Sequence, residues 1–130
     1  MRFLIILLAL LVTTSVRAED GLFTRLFFAK QKADSNVVQR YNTGFLAAFN
    51  SANTVDIAKL YNLHIMNKKR EDGTVNIFFS LKDISTGKPY NIGANAEDFI
   101  IGERKSFSFQ NNGYHYSISI DTSLNALPGS

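Results

Sequence analysis

The 130-residue sequence has no cysteine and no Asn-x-Ser/Thr site, and it has only two histidines. Small secreted domains often depend on disulfides, and Asn-x-Ser/Thr is the acceptor site for N-linked glycans. The two absences exclude a disulfide framework, and together they favour a bacterial exported protein over a eukaryotic secreted one. Because no carboxylates stand at ligand spacing from the two histidines, we expect no metal site.

Long hydrophobic runs are scarce as well. The N-terminal run "FLIILLALLV" has about 10 residues, whereas a bilayer-spanning helix needs about 20. Arg2 precedes the run, and the small residues Val16 and Ala18 follow it at the −3 and −1 positions of a signal-peptidase site. This pattern predicts a signal peptide over residues 1–18, with an uncleaved anchor as the alternative. The predicted location is therefore the bacterial periplasm, or otherwise the secreted fraction.

The excess of positive charge is small. The first 18 residues hold two arginines, so without them the count of Lys and Arg falls from 14 to 12, against 11 acidic residues. Such a balance gives no support for nucleic-acid binding. The run "KKRED" (residues 68–72) mixes both signs, and we interpret it as a solvated hairpin tip rather than an anion site.

Apolar spacing in the first half of the chain is typical of helices. The lead segment 19–33, which opens with "EDGLFTRLFFAKQK" (residues 19–32), has apolar residues at i, i+3 and i+4. We expect it to pack on the domain, with membrane-surface binding through residues 21–33 as the alternative. A second helix is predicted over residues 34–52 and a short third one from Thr54 to Tyr61. The second helix has one apolar face, formed by Val38, Tyr41, Phe45, Phe49, Ala48 and Ala52.

Two hairpins are predicted in the second half. In the first, a three-residue loop with a left-handed Gly73 pairs Lys69 with Val75 and keeps the apolar residues on one face. In the second, an Asn112-Gly113 turn of type I′ connects two strands. Its register pairs Phe109 with Tyr116, Phe107 with Ile118, Gln110 with His115 and Arg104 with Asp121.

The order of these elements predicts the fold class. Helices come first and about five strands with short turns follow, which is typical of an α+β domain. We expect N-terminal helices packed on one face of a curved antiparallel sheet, in a domain over residues 34–124. Residues 125–130 are predicted to be a flexible tail.

The stretch "AFNSANTVDIAKLY" (residues 48–61) resembles the NTF2-like, or SnoaL-like, superfamily. There an Ala-aromatic-Asn-x-Gly-Asp turn leads into Ile-Ala-x-Leu-Tyr, and here Ala52-Asn53 replaces Gly-Asp. The resemblance covers residues 44–66 and implies an α+β roll. Because "NKKREDGTVNIFF" runs directly into a strand, without the family's third helix, the chain also looks like a cystatin-like roll. In the ketosteroid isomerase branch, the catalytic tyrosine and aspartate would fall near Phe45 and Lys69, so isomerase chemistry is not expected.

No other pattern predicts catalysis. A triad of Ser117, His115 and Asp121 lacks a nucleophile elbow. The carboxylates Glu97, Asp98 and Glu103 flank a strand, where solvated charges are common. We therefore expect no catalytic residue, no cofactor and no enzyme activity.

The remaining candidates are binding residues. Phe78 falls on the sheet face opposite to its apolar neighbours, which makes it a candidate for a partner contact. The candidate partner-binding residues are Phe78, His115, Ser117 and Ser119. The candidate pocket between helix and sheet is formed by Tyr41, Phe45, Phe49 and Tyr61.

The functional expectation is a small exported binding module without catalysis. It would recognise a protein partner, as an accessory or immunity-type factor, or a second copy of itself. One alternative is an apolar small-molecule or isomerase-type pocket in an NTF2-like roll. The other is a membrane-surface factor acting through residues 21–33.

Overall fold

The computed structural model describes residues 20–128, and this part of the chain forms eight β-strands and no helix. With no helix in that range, nothing there meets the length and apolarity that a membrane-crossing helix needs. The predicted signal peptide lies outside the described residues. The strands are β1 (Asp20–Lys32), β2 (Val38–Ala47), β3 (Ala52–Ile57), β4 (Tyr61–Lys69), β5 (Val75–Asp83), β6 (Tyr90–Phe99), β7 (Arg104–Asn111) and β8 (Tyr114–Ala126).

The strands form two four-stranded antiparallel sheets. Sheet A has the order β2-β1-β8-β7 and sheet B the order β3-β4-β5-β6. The described part of the chain starts in sheet A, crosses to sheet B between β2 and β3, and returns between β6 and β7. The last strand then pairs with the first along thirteen residue positions, from Asp20 with Ala126 to Lys32 with Tyr114. The sheets pack face to face as a sandwich, with one buried cluster drawn from both.

The core lies between the sheets and is formed by alternate residues of each strand. Leu26, Ile118 and Ile120 of sheet A are 0 % exposed, as are Leu63 and Leu81 of sheet B. The buried residues of both sheets belong to one contiguous cluster. Since strand side chains alternate between faces, the intervening residues lie on the two outer faces of the sandwich.

The predicted α+β class is wrong. The lead segment is strand β1, the second predicted helix is β2 with the turn after it, and the third is β3 with its turn. Residues four apart share one face in a strand as well as in a helix, so pairs such as Leu22 with Leu26 and Tyr41 with Phe45 fit both periods. The α+β roll of NTF2-like and cystatin-like proteins is therefore not the fold of this chain.

Both predicted hairpins are confirmed. Lys69 pairs with Val75, and Gly73 has a left-handed φ of 88°. In the second hairpin every predicted pair of β7 and β8 is present. Asn112 and Gly113 have φ of 52° and 79°, as a type I′ turn requires. The stretch "GANAED" (residues 93–98), whose glycine and polar residues are typical of a loop, is part of strand β6.

The turn between β2 and β3 carries the chain from one sheet to the other. Asn50 adopts a left-handed φ of 58°, which asparagine tolerates better than most residues. Its backbone N–H donates to Asn67 Oδ1 at 2.9 Å, and its own Oδ1 accepts the Lys69 N–H at 2.9 Å. Asn67 also donates to the carbonyl of Ala48 at 3.1 Å. Two asparagines thus fix the crossing, in place of the predicted helical turn.

Candidate functional site

A cavity of about 420 Å³ opens between the two sheets at the end where β1 finishes and β4 begins. We call it the tyrosine pocket. Its apolar and aromatic walls are Val37, Tyr41, Leu60, Tyr61 and Tyr114. Its polar lining residues are Lys30, Lys32, Ser35, Gln39 and Ser85. These residues come from both sheets and the turns beside them, so the pocket depends on the complete sandwich.

A buried ion pair joins the sheets beside this pocket. Lys30 Nζ lies 3.1 Å from Asp83 Oδ2, and the two side chains are 11 % and 1 % exposed. Lys30 occupies the inward-facing series of β1, and Asp83 that of β5. Burying two charges is favourable only where their remaining hydrogen-bonding capacity is satisfied.

The Asp83 carboxylate meets that requirement with four donors. Its Oδ1 accepts the backbone N–H of Ser85 at 2.9 Å and the Ser85 hydroxyl. Its Oδ2 accepts the Lys30 ammonium and the Tyr90 hydroxyl, the latter at 2.9 Å. Burial acts to raise the pKa of Asp83, but the bonds from Ser85, Tyr90 and Lys30 hold it below its ordinary value. The carboxylate is therefore ionised at neutral pH and has little capacity left for a ligand.

A second tyrosine extends this network into the core. The hydroxyls of Tyr90 and Tyr116 are 2.7 Å apart. Because the single proton of the Tyr90 hydroxyl goes to Asp83, Tyr116 donates to Tyr90. Burial, and then this hydrogen bond, raises the pKa of Tyr116 far above its ordinary value. The two hydroxyls thus form a hydrogen-bonded series that ends on the Asp83 carboxylate.

The Lys30 ammonium lies among aromatic rings. Its Nζ is 4.2 Å from the ring centre of Tyr114 and 5.6 Å from that of Tyr61, distances typical of cation–π contacts. Burial acts to lower the pKa of Lys30, but Asp83 and Tyr61 outweigh that effect and raise it. Lys30 is therefore a permanent cation at neutral pH and not a nucleophilic amine.

The aromatic rings around the pocket pack closely on one another. Phe28 stacks between Tyr41 and Tyr116, with both ring centres 5.8 Å away. Tyr61 meets Phe28 edge-on at 4.7 Å and Tyr41 at 5.3 Å. Burial raises the pKa of Tyr61 to about 12, against the opposing effect of Lys30. The floor of the pocket is consequently uncharged and aromatic.

The structure separates the four residues of the predicted helix–sheet pocket. Tyr41 and Tyr61 both line the tyrosine pocket. Phe45 packs against the core further along β2. Phe49 lies beyond the end of β2, where Lys69 Nζ is 4.8 Å from its ring centre.

The predicted partner-binding residues lie on two opposite faces. Phe78 stands between buried Ile77 and Phe79, so it points to the outer face of sheet B. His115, Ser117 and Ser119 alternate with buried residues of β8, so they point to the outer face of sheet A. One flat partner cannot contact both groups at once.

The other charged candidates are dispersed into surface pairs. Glu97 accepts from Lys105 at 3.0 Å, and Asp98 from Arg70 and Asn76 at 2.9 Å each. Glu103 accepts the backbone N–H of Ile100. Within residues 20–128, no three His, Asp or Glu side chains come close enough together to hold a metal ion.

Sequence reasoning missed Lys30, Asp83, Tyr90 and Tyr114 as site residues. A signal was present, because the apolar alternation of β5 (Val75, Ile77, Phe79, Leu81) places Asp83 next on the same inward face. Lys30 continues the inward series of β1 in the same way. Two opposite charges at inward positions of two strands predict a buried pair, but only after residues 20–32 are read as a strand.

Comparison of the chain with protein-family models gave no match, and comparison with curated proteins gave none either. The function is therefore inferred from the site.

Proposed function

We propose that this chain is an exported, non-catalytic binding protein that holds a small ligand in the tyrosine pocket. The cavity carries the proposal, because about 420 Å³ lies within the range of small-molecule sites. Three of its ten lining residues are tyrosines, and two are cations, Lys30 and Lys32, of which Lys30 is held in place by Asp83. The pattern of residues 1–18 supports export. Binding without catalysis is favoured because Lys30 is held protonated and Asp83 is saturated with donors.

Two anilinonaphthalene dyes test the proposal: neutral N-phenyl-1-naphthylamine and 8-anilinonaphthalene-1-sulfonate, which has an added sulfonate. At least one should bind one-to-one in a fluorescence titration. Gln39 pairs with Lys30 across the β1–β2 ladder and lies at the pocket mouth. We expect Gln39→Trp to fill the cavity and to weaken binding of that dye by about tenfold or more, which corresponds to about 1.4 kcal/mol.

Phe78→Ser is the matched control, since it alters an apolar site on the other side of sheet B and should leave dye affinity unchanged. The proposal is wrong if neither dye binds, or if Gln39→Trp leaves the affinity of the bound dye unaltered.

A second candidate function is protein recognition through the outer face of sheet B. Four apolar residues cross the whole sheet in one register: Ala52 beside Met66, Met66 beside Phe78, and Phe78 beside Ala96. We call this the apolar row. Met66 is 42 % exposed, and a shallow apolar groove of about 480 Å³ runs beside Met66 and Phe78.

The occupant that this face fits is a second copy of the chain. A two-fold axis along β5 places β4 of one copy over β6 of the other, so the large Met66 faces the small Ala96. The same axis places Lys68 over Asp98, since the two residues flank Asn76 in the neighbouring row. The Lys82 side chains of the two copies would approach each other about 13 Å from Phe78 along β5, where their like charges repel. Contact is therefore centred on Phe78, where two twisted sheets cross most closely.

Phe78→Asp tests this second function. We expect the wild-type chain to sediment as a dimer and the variant as a folded monomer, because an unpaired carboxylate at the centre of an apolar interface is strongly unfavourable. Analytical ultracentrifugation with circular dichroism measures both properties. Ser117→Asp, on the outer face of sheet A, is the control. A monomeric wild type at high concentration, or a dimeric Phe78→Asp variant, contradicts the dimer.

A further inference from the structure

We infer that the ligand of the tyrosine pocket is an organic anion with a flat, aromatic body, whose acidic group is bound by Lys30. This inference rests on the proposed function and names the class of ligand. It follows from three features of the pocket: the sign of its accessible charge, the geometry of the Lys30 donors and the shape of the walls.

The accessible charge of the pocket is positive. Its lining includes Lys30 and Lys32 but no aspartate or glutamate. Asp83 lies behind the lining, is 1 % exposed and already accepts from four donors. A ligand therefore meets two cations and no unsatisfied carboxylate, which favours an anion.

The Lys30 ammonium has a donor for such a ligand. An ammonium has three N–H groups; Asp83 accepts one and the Tyr61 hydroxyl a second, which leaves one for a ligand. Lys30 borders the cavity directly, so an anionic oxygen that enters can accept from the same nitrogen. A charge-assisted bond of this kind is stronger than a neutral one.

The walls fit a flat body. Tyr41 and Tyr61 border the cavity with ring centres 5.3 Å apart, and Tyr114, Leu60 and Val37 complete the apolar lining. Aromatic rings prefer offset or edge-on contacts with other aromatic rings, so such walls favour an aromatic ligand over a branched aliphatic one.

A cationic ligand is the main alternative, since boxes of tyrosines bind quaternary ammonium groups in other sites. Here the protein's own cation already occupies that position, with Lys30 Nζ 4.2 Å from the Tyr114 ring centre. A second cation in the same cavity would be repelled by Lys30 and Lys32. The tyrosine rings therefore orient Lys30 toward an anion and do not bind a cationic ligand.

The two dyes named above separate this inference from the proposed function, because they share one aromatic body and differ in the sulfonate. We expect the sulfonate dye to bind the wild-type chain about tenfold or more tightly than the neutral dye, as one charge-assisted hydrogen bond allows. The double variant Lys30→Met/Asp83→Asn removes both charges without isolating either. It should reduce this preference to about twofold or less.

Lys82→Gln is the matched control, because it removes one positive charge from the exposed outer face of sheet B. It should preserve the preference for the sulfonate dye. If the double variant does not fold, salt tests with the wild-type protein whether binding of the sulfonate dye depends on positive charge. Raising the sodium chloride concentration should lower the affinity of the sulfonate dye and not that of the neutral dye.

The possible outcomes are distinct. Equal affinities of the two dyes, both blocked by Gln39→Trp, overturn the anion inference and leave the pocket function in place. The anion inference is likewise overturned, and the pocket function left in place, if the double variant lowers the affinities of both dyes equally. Failure of Gln39→Trp to affect either dye overturns the pocket function and the inference with it.

Discussion

The Lys30–Asp83 pair is the residue-scale feature on which both the pocket and the local stability depend. Removing one member of a buried ion pair typically destabilises a protein by about 3–5 kcal/mol, because the other charge stays buried without compensation. The three neutral donors to Asp83 lower the free energy of its buried charge. Asp83 therefore positions the Lys30 ammonium in the pocket, and Tyr90 and Ser85 position the Asp83 carboxylate.

Replacement of Asp83 by asparagine should show this role through its pH dependence. The pKa of Asp83 in the folded chain lies below its ordinary value of about 3.9. Its ionised form therefore stabilises the fold above that pH, and the contribution disappears as the pH falls through the folded pKa. We expect Asp83→Asn to lower the free energy of unfolding by about 3–5 kcal/mol at pH 7, and by much less near pH 2.

Urea unfolding between pH 7 and pH 2 measures the difference. In the wild type Lys30 does not add to it, because its raised pKa makes it titrate only in alkaline solution. Asp98→Asn, which removes an exposed carboxylate paired with Arg70, is the control and should change stability only slightly. A stability difference between Asp83→Asn and the wild type that stays constant over the whole pH range would contradict the assigned role of the carboxylate.

At the scale of elements, the hairpins could be predicted because their information is local. The Asn112-Gly113 turn fixes the register of β7 and β8, and in that register apolar residues meet apolar ones. The predicted Arg104–Asp121 pair is present at 3.0 Å. Arg25 of β1 also binds Asp121 at 3.0 Å, a contact across 96 residues that no local pattern indicates.

The first three strands could not be predicted in the same way. The turn between β3 and β4 contains Ala58 and Lys59 with left-handed φ of 55° and 59°, a conformation that is costly for residues with a Cβ. No glycine marks this turn, so "VDIAKLY" has the appearance of a helix. Strand β1 is decided by its pairing with β8, whose partners lie about a hundred residues away. The pocket combines these strands, and for that reason only Tyr41 and Tyr61 of it were predicted.

At the scale of the whole molecule, the two sheets must approach closely where the chain returns from β6 to β7. Gly93 of β6 lies directly under the ring of Phe109 in β7. Phe109 in turn packs edge-on against Phe79 of sheet B, with ring centres 6.2 Å apart. The register of β5 and β6 shifts at the same place, with an extra residue, Ile92, between the pairs of Leu81 and Lys82. The bulge and the glycine together allow Phe109 to close this edge of the sandwich.

Gly93→Ala tests this closure. Its φ is not left-handed, so the effect is steric: the new Cβ would overlap the Phe109 ring and force it away from Phe79. We expect a loss of about 1–3 kcal/mol in the free energy of unfolding, as for other overpacked sites. Gly87→Ala, where a Cβ meets no atom within 4 Å, is the matched control and should be neutral. The double variant Gly93→Ala/Phe109→Leu should be less destabilised than the sum of its single changes, because the smaller side chain relieves the overlap. Additive effects in urea unfolding would mean that the close approach of Phe109 is not the reason why Gly93 is needed.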